Sequence, residues 1–287
     1  MHPTFRGACA VLLLAALAPA TRPAQAETYQ TCAGFIDSLP ATITTQGVWC
    51  LRKDLSTAMA VGAAINIATN NVTIDCNDFK LGGLAAGDGT RTMGIHATSR
   101  ENATIRNCNI RGFMSGVRLL NGSGHAVLDS RFDNNTHVGI YLYGDGSLIR
   151  GNRIMDTGGS TVSTSAYGIL YGQSVAGNVV DNVVQGVYAS GSMGQVFGIS
   201  AALSAGEVAR NSISVLQSDS NFFARGIQVP VDGSRVVIRD NTISMPTTAP
   251  VYGIGIDCFD AIVRDNTVSG LTYGQLNCTD AGGNFSN

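Results

Sequence analysis

Lysine is nearly missing from this sequence. Lys53 and Lys80 are the only two in 287 residues, and charged side chains make up 13% of the chain. No basic run interleaves with aromatics, so the electrostatic footprint expected for nucleic acid or an anionic membrane surface is absent. No Cys-x-x-Cys occurs, which removes the spacing used by zinc sites and thioredoxin-like chemistry. Beyond residue 26 no apolar run approaches the ~20 residues of a membrane-spanning helix. Beyond residue 60 no window sustains a helical period of apolar residues.

The first 26 residues differ from the rest. Arg6 precedes an apolar run from Ala8 to Ala18, too short to span a bilayer, and Ala24-Gln25-Ala26 is a small-x-small site. That order predicts a secretory signal peptide, removed before Glu27, and an exported chain in the periplasm or outside the cell. Loss of Arg6 and Arg22 takes the 18 basic residues to 16 against 20 acidic ones, moving the formal charge from −2 to −4. Cys9 leaves as well, and six cysteines remain of seven. An even number in an exported chain predicts disulfides. They fall in three neighbouring pairs: Cys32 with Cys50, Cys76 with Cys108, and Cys258 with Cys278.

Glycine is abundant, at 35 residues, and it recurs in a pattern. Gly precedes a branched apolar residue at Gly94-Ile95, Gly116-Val117, Gly139-Ile140, Gly168-Ile169, Gly198-Ile199, Gly226-Ile227 and Gly253-Ile254. A second landmark, usually Asn, stands two residues before an apolar one: Asn77, Cys108, Ser130, Asn152, Asn182, Asn211, Asn241 and Asn266. The stretch from Gly to polar landmark is nearly constant, and the return stretch varies. A repeat with one fixed and one variable half is the signature of a solenoid. Within the fixed half apolar residues alternate, as in Gly139-Ile140-Tyr141-Leu142, so each coil carries short strands with one face inward. An Asn at the same bend of each coil can satisfy backbone groups there, and Asn tolerates the left-handed geometry of tight bends. Arg106, Arg150, Arg239 and Arg264, two residues before the ladder, read as a solvated face with ion pairs to residues such as Asp240 and Asp265. A left-handed β-helix needs a strict hexapeptide period, and a leucine-rich repeat needs Leu-x-x-Leu-x-Leu; neither is present.

Ile74-Asp75-Cys76-Asn77, the segment Ala103 to Cys108, and the Gly-Ile and Arg-Asp-Asn repeats resemble the right-handed parallel β-helix repeat family of the pectate-lyase-like superfamily. The resemblance covers roughly residues 63–278. It implies an all-β solenoid of about eight coils over residues 63–287, with residues 27–62 as an N-terminal cap pinned by Cys32–Cys50. It also implies chemistry on polyuronides and related sugars. The motifs of the known activities are missing: Asn-Thr-Asp, Asp-Asp, His-Gly and Arg-x-Lys of pectin hydrolases, and Asp-Pro-His-Asp of mannuronan epimerases. A Lys base has only Lys80 to draw on, and no cluster of Asp suggests calcium.

On the strand after each Gly the outward positions are read as His96, Arg118, Tyr141, Leu170, Ser200, Gln228 and Gly255. His96, Arg118 and Tyr141 therefore occupy consecutive rungs, with Tyr143, Asp145 and His137 close by. Long segments 79–93 and 154–167 flank short ones, which predicts an open floor walled at both ends. Aromatic faces stack on sugar rings, and Arg pairs with a carboxylate. The expectation is an exported protein that binds a surface or extracellular polysaccharide. Arg118, His96 and Tyr141 are the candidates for β-elimination, and Tyr143, His137 and Asp145 for substrate binding. The alternative is a non-enzymatic adhesin-like or structural module. His96, His125 and His137 come from separate coils with no shared acid, so neither metal nor another cofactor is expected.

Overall fold

The computed structural model describes residues 31–191, 193–218, 223–246 and 253–287. The expected signal peptide, residues 1–26, lies outside them. Every described strand pair is parallel, and the strands form three sheets of eleven, ten and ten members. Successive strands of the chain go to different sheets, and each returns beside its predecessor one coil back. This is a parallel β-helix, right-handed as parallel crossovers are. Strands Val61–Ile67 to Gly253–Cys258 supply the eight expected coils to one ten-stranded sheet, and Ala41–Ile43 and Tyr273–Leu276 add a rung at each end. The segment expected as a cap, residues 27–62, carries from Gly34 onward strands that pair into all three sheets.

Period-two alternation drives the fold. Ile95, Val117, Ile140, Ile169, Ile199, Ile227 and Ile256 stack in register and are buried. A second inward column runs through Ile74, Ile105, Val127, Ile149, Val179, Val208, Ile238 and Val263, and a third through Leu81, Ile110, Phe132, Ile154, Val184, Ile213, Ile243 and Val268. Three such columns facing one another fill the interior, and burial of these branched side chains is the main driving force.

The glycine landmark has a steric cause. A Cβ on Gly139 would lie 2.6 Å from the carbonyl oxygen of Gly168 and 2.7 Å from Ile154, and Gly168 would meet Gly198 and Val184 in the same way. The seventh member is Gly255, not Gly253: it abuts the Gly274 carbonyl and Val268, and Ile227 pairs with Ile256. The outward residue of that coil is accordingly Asp257, which pairs with Gln228, and not Gly255.

The polar ladder forms from Cys108, whose N–H donates to Ser130 Oγ, whereas Asn77, expected as its first member, has positive φ and donates to the Leu51 carbonyl instead. Ser130, Asn152, Asn182, Asn211 and Asn241 each donate a backbone N–H to the Oδ1 of the next member, and Asn266 passes the chain to Asn284. Asn182 Nδ2 also donates to the Ile149 and Val180 carbonyls. The left-handed residue is the one before the ladder: Asn107, Asp129, Gly151, Asp181, Arg210, Asp240 and Asp265 all have positive φ. From Cys108 onward the ladder residues do not. The bend strain and the hydrogen-bond satisfaction are thus divided between neighbours. Arg106 pairs with Asp75, Arg210 with Asp181, and Arg239 with both Glu207 and Asp240. All three expected disulfides are present: Cys32–Cys50, Cys76–Cys108 and Cys258–Cys278.

Candidate functional site

The outer face of the sheet bearing the Gly-Ile strands is where the sequence placed its candidates. His96 pairs with Arg118, and Arg118 with Tyr141, so the three stand on consecutive rungs. Leu120 pairs with Tyr143 two residues further along. The glycine ladder positions them: Gly and the following Ile both face inward, and the next residue turns out.

His96 is half-buried with both ring nitrogens engaged. Nδ1 lies 3.0 Å from the Arg118 carbonyl oxygen, which only accepts, so Nδ1 carries the proton. Nε2 then accepts from the Thr98 hydroxyl at 2.9 Å. Burial holds the His96 pKa below the ordinary imidazole value, and the charge of Arg118 adds to this. In this arrangement the ring is the Nδ1–H tautomer, with its one lone pair on Nε2 shared with the Thr98 hydroxyl.

Arg118 lies near the Tyr141 ring, its guanidinium carbon 5.6 Å from the centroid, and Nη1 is 3.6 Å from Met93 Sδ. Its buried Nε has no hydrogen-bond partner. Among the described residues no carboxylate forms an ion pair with it. Its guanidinium is thus left without a described counter-charge.

The other candidates sit apart from this cluster. His137 lies at the sheet's leading edge, where Nδ1 donates to the Ser165 carbonyl at 2.8 Å and the ring meets Tyr167 edge to face. Burial lowers its pKa too. Asp145 lies at the trailing edge. Its Oδ1 accepts from Ser174 Oγ and Val175 N, both at 2.7 Å, and the Ser174 bond is the main reason its carboxyl stays below the usual range. Tyr143 and Asp145 share a cavity of about 460 Å³, lined also by Asn121, Gln173, Ser174 and Ser204. The expected pair of end walls is joined on one side: Thr161 N donates to the Asp88 carbonyl at 3.3 Å, across the short turns between. His125 faces inward, and among the described residues no three His, Cys, Asp or Glu converge on a metal-sized site.

A second row went unnoticed in the sequence. The residues just before the ladder glycines form a second column in register, running from Met93 through Tyr167, Phe197 and Arg225 to Tyr273, with Val138 and Phe197 buried within it. Tyr167 and Phe197 stack 4.7 Å apart at 4°. Arg225 covers Phe197 and Phe223 and pairs with Asp257 at 2.7 Å. Tyr167 and Phe197 have faces covered by their neighbours, so this column forms a rigid rail along the floor. The signal was available: the same Gly landmark marks them, one residue earlier.

A family profile described as right handed beta helix region matches residues 56–213. Among solved structures, the Dettilon tailspike protein gp208 is similar at TM-score 0.55 and 14% identity, over 88% of this chain and 60% of that one. A mutant tailspike protein of E. coli bacteriophage HK620, in complex with a pentasaccharide, gives TM-score 0.43 and 12% identity over 88% and 56%. The catalytic unit of a GH87 alpha-1,3-glucanase from Streptomyces thermodiastaticus strain HF3-3 gives 0.40 and 14% over 83% and 53%. The chain therefore spans less than two thirds of each, and the likeness to the first is one of fold. No curated protein matches the sequence.

Proposed function

Since the chain belongs to the right-handed β-helix family, whose scaffold leaves function to its surface sites, we propose that it is exported and binds a carboxylated surface or extracellular polysaccharide along the floor around Arg118. One observation carries the reading. Of the two arginines packed on aromatic rings along this face, Arg225 is neutralised by Asp257, whereas Arg118, between His96 and Tyr141, has no described carboxylate partner. A uronate carboxylate supplies the missing counter-charge. Tyr141 and Tyr143 offer stacking surfaces on the same side, and His137 and Asp145 border them.

A second reading, β-elimination, is favoured by His96. With its proton on Nδ1, it takes the proton α to a carboxylate whose charge Arg118 balances, on Nε2, once the Thr98 hydroxyl turns away from that nitrogen. The C–O bond β to the carboxylate then breaks, a C=C bond forms, and the Tyr141 hydroxyl returns a proton to the departing oxygen. Hydrolysis has less support, because it requires two carboxyl groups across the scissile bond, and on this floor Asp257 is committed to Arg225.

The two readings separate in one assay. The mature protein is incubated with acidic and neutral polysaccharides while unsaturated-uronate absorbance and reducing ends are followed together. New absorbance that vanishes in H96A establishes elimination. Binding without either signal leaves a binding module. Failure of every acidic polymer to bind refutes the site.

A further inference from the structure

We infer that the cavity beside Tyr143 takes an uncharged sugar while Arg118 takes a carboxylated one, so the ligand is a glycan in which acidic and neutral residues adjoin. The inference rests on the reading of the Arg118 floor given above. It comes from the contrast between two neighbouring sites. The first presents a cation without a described counter-charge. The second is a cavity of about 460 Å³ with one charged lining residue, the carboxylate Asp145. Both bonds that Asp145 accepts go to Oδ1, and no described residue bonds Oδ2, which is left to accept from a sugar hydroxyl. A second uronate in this cavity would face a fixed like charge in a partly enclosed space, whereas a neutral ring would find amides, hydroxyls and an acceptor.

The aromatic platform fits the same division. Tyr143 is 37% exposed and leans over Gly172, where a Cβ would come within 2.7 Å of the ring. The missing side chain lets the ring lie along the sheet with one face outward. Leu120, two residues beyond Arg118, pairs with Tyr143, so the near edge of the cavity lies one rung and two residues from Arg118, and Asp145, opposite Ser123, lies further along the strands. That separation suits adjoining residues of one chain.

Calorimetric titration of the mature protein with two defined disaccharides tests this: a hexuronic acid linked to a neutral hexose, and a dihexuronide. The mixed sugar is expected to bind about tenfold tighter. Asp145→Asn removes the charge, so it should tighten the dihexuronide severalfold and narrow the gap between the two sugars. Arg118→Ala should abolish binding of both. Equal affinities in the wild type, or an unchanged gap in D145N, overturn the inference while leaving the Arg118 reading intact. If neither sugar binds at any concentration, the Arg118 reading falls and the inference falls with it.

Discussion

Arg118 and Arg225 are the same side chain on the same outer face, and their surroundings set them apart. Arg225 is held between Phe197, Phe223 and Asp257 and is half of a closed ion pair. Arg118 has an aromatic neighbour and an unsatisfied donor. Nothing in the local sequence separates them, because Asp257 reaches Arg225 from the following coil, and a slip of two residues in reading Gly253-Ile254-Gly255-Ile256 hid it. The histidines supply a residue-scale prediction. His125 is buried, with Nδ1 accepting from Ala103 N and Nε2 donating to the Asn121 carbonyl. Burial lowers its pKa, as it does for His96 and His137. The native state therefore favours the neutral rings. That stabilisation is complete above the ordinary imidazole value of about 6.5 and is lost as pH falls below it towards the depressed native values. The melting temperature should drop on acidification through this range. His125→Gln should make the slope shallower, since one proton taken up on unfolding corresponds to about 1.4 kcal/mol per pH unit. An unchanged slope would mean that His125 is not among the groups that titrate.

At the scale of elements, the two ladders explain how much of the fold was legible. The Gly and Asn landmarks are one-residue signals that recur once per coil, and they report steric and hydrogen-bonding constraints that no other residue meets as well. They gave the coils, the inward columns and the rungs carrying His96, Arg118 and Tyr141. They did not give the left-handed residue, which precedes each ladder member from Cys108 onward and varies among Asn, Asp, Gly and Arg. Nor did they give the rail of Tyr167 and Phe197, since a residue just before a glycine in an alternating strand is expected to point inward, and here the inward Gly-Ile pair shifts the alternation. Gly168→Ala should cost about 1–3 kcal/mol, because its Cβ would meet the Gly198 carbonyl at 2.6 Å and Val184 at 2.4 Å. Asn182→Ala removes a buried amide that serves two carbonyls and the Asn152 N–H, and should cost about 2–4 kcal/mol. Denaturant unfolding measures both. Losses below 0.5 kcal/mol would mean that the coils relax around these positions.

The whole molecule is a stack in which each coil rests on its neighbours, so its ends are the weak points. Two of the disulfides lie there: Cys32–Cys50 clasps the first described coils, and Cys258–Cys278 ties the last. A bridge closing a loop of this length contributes about 3 kcal/mol in the chain-entropy account. Replacing Cys258 and Cys278 by Ser should expose the final coils to limited proteolysis before the centre, and digestion that began in the middle would contradict an end-fraying stack. Between the ends the solenoid is a regular scaffold, and what distinguishes it is the outer face around Arg118. Affinity electrophoresis of the mature protein and of R118A through gels containing a carboxylated or a neutral polysaccharide tests that most directly. The account predicts that the carboxylated polymer retards the wild-type protein, that the neutral one does so far less, and that R118A, melting at the same temperature, runs free. Equal retardation of the folded variant and the wild type would contradict it.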